Sequence, residues 1–103
     1  MVAQFNVEQP FFLLIFVINY TVKVVHMKIF LAQQNYHIGN FEYNTNKIIE
    51  AIEIAKAQQA DLIVFSEMCI CGYPARDFVE FNDFINKCYA AINVIKQHAT
   101  TIG

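Results

Sequence analysis

The chain has 103 residues, 56% of them hydrophobic and 16% charged, with a formal net charge of -2. That balance fits one compact domain or a piece of one and excludes a disordered chain. Seven basic residues against nine acidic ones, with no basic run, leave no electrostatic footprint for a nucleic-acid partner.

Residues 1–26 read differently from the rest of the chain. FFLLIFVI (residues 11–18) is an unbroken apolar run, but Asn19, Thr21 and Lys23 interrupt its continuation. It therefore falls short of the roughly 20 apolar residues a membrane span needs, and no membrane partner is expected. Glu8 precedes the run where a secretory signal carries Lys or Arg, and no small-x-small cleavage site comes after it. A strand-like run begins afresh at Met27. The expectation is that Met27 is the native start. Residues 1–26 would then be an apolar extension outside the native domain, upstream sequence read as protein, with FFLLIFVI packing poorly against the remainder.

From Met27 the organisation is regular. Residues 28–33 (KIFLAQ) read as a buried strand. Residues 35–40 (NYHIGN) read as a loop in which Gly39 supplies a positive φ and Asn40 caps a helix. The helix runs to about Gln58: at the helical period Phe41, Ile48, Ile52 and Ala55 share one face, and Asn46, Glu50, Glu53 and Ala57 lie opposite. Residues 61–66 are the second strand. Strand, helix, strand in that order predicts a right-handed βαβ unit with parallel strands, an α/β fold. After a Gly-Pro loop a second helix begins near Asn82, with Phe81, Phe84, Ile85, Cys88, Ala91, Ile92 and Ile95 in one stripe. ATTIG at residues 99–103 looks like the approach to a third strand.

The three cysteines, Cys69, Cys71 and Cys88, are an odd number without spaced CxxC pairs, so neither a disulfide framework nor a zinc site is expected. Reduced thiols of this kind point to the cytoplasm. Cys88 sits in the middle of the second helix's apolar stripe and reads as packing.

The stretch FSEMCICGYPARD (residues 65–77) carries the chemistry. It places Glu67 where a buried strand ends and a Gly-Pro loop begins. In parallel α/β sheets, ligands and catalytic groups collect at the carboxyl ends of strands, where loops open while a rigid element still holds the side chains. Gly72 permits a turn that other residues resist, and Pro74 stiffens the loop and holds Tyr73 extended over a neighbouring pocket. From spacing alone Glu67 has two readings: a functional carboxylate, or a loop carboxylate pairing with Arg76 or capping a backbone amide.

Three stretches, KIFLAQQNYHIGNFEYNTNKI, DLIVFSE and CGYPARDF, resemble the carbon–nitrogen hydrolase (nitrilase) superfamily and, within it, the amino-terminal glutaminase domains of glutamine-dependent NAD synthetases. DLIVFSE alone indicates the superfamily, and the GYPARD loop favours the synthetases. The similarity runs from Met27 onward but covers only the opening of a much longer family domain.

The resemblance implies a Glu, Lys and Cys triad with Glu67 as general base, taking a proton from the cysteine thiol and later from the water that hydrolyses the acyl-enzyme. The lysine, which stabilises the oxyanion, and the cysteine lie beyond Gly103 in the family, so this chain alone is expected to be inactive. Cys69 and Cys71 are not expected to substitute: the family nucleophile comes from another strand, and the nearest cation here is Arg76, on a loop. Lys87 and Lys96 fall on the polar side of the second helix and read as solvated. Tyr73 would line the glutamine site, its alternative being a packing aromatic.

The implied fold is an αββα sandwich, here a partial one made of a βαβ unit plus a second helix. The implied substrate is glutamine or another small amide, in a cytoplasmic enzyme of a family whose members are usually homo-oligomeric. Ammonia would pass to a synthetase domain that amidates deamido-NAD, and ATP and magnesium would belong to that domain. No Gly-rich phosphate loop occurs in this chain, so neither a cofactor nor a metal is expected in it. Two alternatives stay open: another substrate of the superfamily (a simple amide, nitrile or carbamoyl compound), and a non-catalytic remnant or interaction module.

Overall fold

The computed structural model describes residues 2–8 and 26–103. Strands β1 (Val2–Glu8) and β2 (His26–Ala32), helix α1 (Phe41–Ala57), strand β3 (Leu62–Phe65), a 3-10 turn (Arg76–Glu80) and helix α2 (Asn82–His98) succeed one another along the chain. The sheet order is β1-β2-β3. β2 and β3 are parallel, with Phe30 beside Ile63 and Ala32 beside Phe65, as strand, helix, strand requires when a helix makes the crossover. The fold is α/β, with a parallel strand pair and two helices, as the strand, helix, strand order predicts.

Periodicity decides the core. Phe30 and Ala32, alternate residues of β2, are 1% and 2% exposed. α1 contributes Ile48, Ala51, Ile52 and Ala55, all buried and all on one helical face. Asn46, Glu50, Glu53 and Ala57 lie on the solvent side, as their spacing predicts. Burying each of Phe30, Ile48 and Ile52 stabilises the fold by roughly 1.5–3 kcal/mol. At the start of α1 the Asn40 side chain accepts from the Tyr43 N–H at 3.2 Å, the cap expected of that residue. The far end is tied back to the sheet: the Lys28 ammonium reaches the Gln58 carbonyl, and Asp61 exchanges hydrogen bonds of 2.7 and 2.8 Å with the Lys28 backbone.

Two expectations are corrected. β3 is not a buried strand: its register sets Leu62 and Val64 beside Ile29 and Leu31, on the face turned away from Phe30 and Ala32, and Val64 is 42% exposed. The apolar stripe of α2 is buried only in part. Phe84 and Ala91 are buried and Ile85, Cys88 and Ile95 partly so, while Phe81 and Ile92 are exposed. The reason is that α2 packs chiefly on α1 and the 3-10 turn and so has less surface to bury against.

The sheet also includes a strand unforeseen from the sequence. β1 pairs antiparallel with β2, from Val2 opposite Ala32 to Glu8 opposite His26. VAQFNVE does alternate apolar and polar from Ala3 onward, a period-two signal overshadowed by the denser FFLLIFVI after it. FFLLIFVI itself lies outside the described residues. At the other end of the chain, Gly103 donates to the Asp61 carbonyl and accepts from the Ile63 N–H. This is the hydrogen-bond pattern of a parallel pair at the outer edge of β3.

Candidate functional site

Because β2 and β3 are parallel and in register, their carboxyl ends open side by side. The loop after β2 (residues 33–40) and the loop after β3 (residues 66–75) therefore face each other. Ala32 pairs with Phe65, so Gln34 and Glu67 each stand two residues past the same rung. Met68, immediately after Glu67, takes a left-handed φ of 59°, a conformation non-glycine residues seldom adopt outside specialised turns. The turn closes by a 2.8 Å hydrogen bond from the Gly72 N–H to the Met68 carbonyl.

Gly72 itself has φ of 83°, and a Cβ there would lie 2.6 Å from the His37 carbonyl carbon and the Ile38 nitrogen. Only glycine lets the two loops touch at this point. Tyr73 comes next, 75% exposed, joined to Pro74 by a cis peptide bond.

Between the loops lies a cleft of about 420 Å³, lined by Gln34, Asn35 and Tyr36 from one side and by Ser66, Glu67, Met68 and Tyr73 from the other. A smaller hollow of about 260 Å³ adjoins it, sharing Gln34, Asn35 and Ser66 and adding Gln33. The structure thus brings Glu67 and Tyr73, both singled out from sequence, to one cleft. Glu67 is exposed there. Among the described residues no ion pair joins it to Arg76, one of the two partners its alternative reading offers, the other being a backbone amide.

The opposite wall was not foreseen. Gln34, Asn35 and Tyr36 are polar loop residues without a motif of their own. The signal that could have found them is their position just past the end of the strand neighbouring β3.

Tyr36 donates to Gln34 Oε1 at 3.0 Å. Burial, with a smaller contribution from Cys69, pushes its phenol up to about 12, so it stays a neutral hydrogen-bond donor at physiological pH. Burial also raises the Cys69 thiol above its ordinary value. That is the reverse of what a nucleophilic thiol needs. Cys88 shifts the same way, from burial first and then from Cys71.

Cys71 is buried in an apolar cluster with Ala75 and Phe84, against which Phe41, Met68 and Cys88 pack. The Phe84 ring meets Phe41 edge-on at 5.1 Å and stacks on Phe78 at 5.5 Å. This cluster is the anchor of the Glu67 loop.

Residues 28–100 match the carbon-nitrogen hydrolase family. The chain belongs to that family. Among relatives, the glutamine-dependent NAD(+) synthetase of Acinetobacter baylyi is 37% identical over 79 residues, which are 74% of this chain and 15% of that protein. The glutamine-dependent NAD(+) synthetase of Thermotoga maritima is 34% identical over 77 residues, 75% of this chain and 13% of that protein. A synthetase of the same name from Synechocystis is 39% identical over 57 residues, 55% of this chain and 10% of that protein. The chain therefore spans less than a sixth of the length of these relatives. Its match to the carbon-nitrogen hydrolases begins at Lys28 and leaves β1 outside.

Among the described residues no three His, Cys, Asp or Glu side chains cluster as metal ligands, and no helix is long and apolar enough to cross a membrane.

Proposed function

We propose that residues 27–103 form the amino-terminal part of a glutamine-hydrolysing domain in which Glu67 is the general base. Ammonia released there would serve ATP-dependent synthesis of NAD from deamido-NAD in a separate domain. One observation carries this: Glu67 is an exposed carboxylate at the carboxyl end of a parallel strand, sharing its cleft with Tyr73 and a polar wall. The similarity to proteins named glutamine-dependent NAD(+) synthetase supports the choice of substrate.

In the proposed reaction Glu67 accepts the proton of a cysteine thiol as the sulfur attacks the amide carbon. The carbonyl electron pair moves onto oxygen, where a lysine stabilises the charge. Collapse of this intermediate expels ammonia, with Glu67 returning its proton to the leaving nitrogen. Glu67 then takes a proton from the water that attacks the thioester; the carbon–sulfur bond breaks, glutamate leaves, and Glu67 returns that proton to the cysteine sulfur.

Tyr73, at the rim of the cleft, would border the bound substrate. The lysine and the nucleophilic cysteine are supplied from outside residues 27–103, so this segment alone is inactive. ATP and magnesium would belong to the synthetase domain, and the hydrolysis proposed here is written without either. Cytoplasmic location and homo-oligomerisation belong to the same proposal, the first supported by three cysteines that form no disulfide. The family domain would start at Met27, with β1 an added strand at the edge of the sheet.

The test is Glu67→Gln in the complete protein that carries this chain. Synthesis of NAD from glutamine should be lost while synthesis from added ammonium persists, because the ammonium-consuming site never uses this carboxylate. Full glutamine-dependent activity would return Glu67 to a loop carboxylate. Loss without ammonium rescue would point to a simple amidase.

A further inference from the structure

Asn44, in the first turn of α1, is 0% exposed although polar. Its Oδ1 accepts from the His37 N–H at 2.8 Å, and its Nδ2 donates to the carbonyls of His37 at 2.8 Å and Ile70 at 3.0 Å. The first two bonds hold the loop after β2, and the third holds the loop after β3. Beside them the Gly39 N–H donates to the Cys71 carbonyl at 2.9 Å, and Gly72 lies against His37 and Ile38 too closely for a side chain.

These contacts form one seam between the loop bearing Gln34, Asn35 and Tyr36 and the loop bearing Ser66, Glu67, Met68 and Tyr73, the two walls of the cleft. We infer that Asn44 is a positioning residue: it locks the two walls at a fixed separation, so that Glu67 faces the polar wall at a set distance. The inference rests on the proposal that Glu67 is the general base.

An asparagine serving the first loop alone would need only its two bonds to His37. The bond to the Ile70 carbonyl makes it a coupler. An apolar side chain of similar volume would fill the space but leave His37 N–H, His37 O and Ile70 O without these partners. A satisfied buried network fixes one arrangement of the groups it joins.

The experiment compares Asn44→Ala and Gly72→Ala with Glu67→Gln in the complete protein, measuring kcat and KM for glutamine beside the ammonium-dependent reaction. The expected result is a kcat/KM for glutamine lowered on the order of 10²-fold, the scale of an ångström misplacement, with KM raised as well as kcat lowered and ammonium-dependent synthesis intact. A kcat that returns to the wild-type value once rates are normalised to the folded fraction, measured by circular dichroism, would mean only that fewer molecules are folded, and would overturn the positioning role. Unchanged kcat and KM in Asn44→Ala, with Glu67→Gln inactive, would overturn it too.

If Glu67→Gln retains full activity, it is the general-base proposal that falls, and the positioning role falls with it. Should the Asn44 variant fail to fold, hydrogen exchange in the wild-type protein decides. The His37, Gly39 and Gly72 amides should open with one common free energy, and separate openings would show that the walls are not locked together.

Discussion

The two walls of the cleft share the hydrogen bonds of Asn44 and Gly39 between them but are otherwise held by different means. The wall after β2 is held by polar contacts: Tyr36 to Gln34, His37 to Asn44, and the His37 ring stacked on Tyr43 at 4.3 Å. The wall after β3 is held from beneath by apolar packing of Cys71 and Ala75 on Phe84, and carries an exposed carboxylate at its head. One wall offers neutral hydrogen-bonding groups suited to orienting a polar substrate. The other offers a group that can accept a proton, on a backbone held by apolar packing together with the hydrogen bonds its Ile70 and Cys71 carbonyls accept. An anchor and the proposed reacting group it holds therefore need not share chemistry, and damage to the two walls should read out differently.

The heaviest loss should come from the β3 wall. Glu67→Gln keeps the size of the side chain but cannot accept a proton, so glutamine-dependent turnover should fall by about 10² to 10⁴ from loss of the general base alone. Tyr36→Phe, on the other wall, removes one hydroxyl and leaves the proton transfer in place. Its effect should appear in KM for glutamine and be far smaller. Equal losses of kcat in the two variants would break the division of labour between the walls.

Phe84→Ala tests the apolar anchor. Phe84 is 9% exposed and contacts Phe41 and Phe78 through its ring, so truncation should destabilise the protein by about 3–5 kcal/mol, measured by denaturant unfolding. If the packing anchors the Glu67 loop, exchange of amides in residues 66–75 should quicken more than that in residues 33–40. Uniform quickening would mean that Phe84 supports the whole fold and not one wall.

Legibility in the sequence divides along the same line. The β3 wall is legible because its residues obey strong local rules: an apolar strand, then a carboxylate, then Gly72 and Pro74 fixing a turn. Asn40 as a cap and the buried face of α1 are legible for the same reason.

The β2 wall is not. Gln34, Asn35 and Tyr36 look like any polar loop until the parallel register sets Gln34 level with Glu67. Asn44 hides more completely, since an asparagine in the first turn of a helix ordinarily faces water, and its burial depends on two loops converging from distant parts of the chain. β1 escapes notice because a long-range antiparallel pairing leaves only a weak alternation in the sequence. In α2 the sequence promises too much: its stripe is real, but a stripe states which face is apolar and not how much surface meets it.

Cys69 should respond less than any of these sites. Its thiol is partly buried and raised in pKa, so Cys69→Ala should leave glutamine hydrolysis essentially unchanged, and thiol-reactive reagents should modify Cys69 more slowly than an exposed cysteine at neutral pH. Abolished activity with an unchanged unfolding profile would overturn the expectation that Cys69 takes no part in the reaction.

The slightest signal is a titration. Burial raises the Tyr36 phenol from 10.0 to about 12, so the folded cleft favours its neutral form more than the unfolded chain does. The sign is set by which state binds the proton more tightly: the contribution to stability is fully present below pH 10.0 and is lost as pH rises through about 12. Ultraviolet titration of tyrosinate in wild type and Tyr36→Phe isolates this group by difference. The missing component should titrate near 12 in the folded protein and return to 10.0 in denaturant. A difference component already at 10.0 in the folded state would mean that Tyr36 is fully hydrated. The polar wall would then be a solvated loop, and the contrast with the carboxylate-bearing wall would lose its basis in burial.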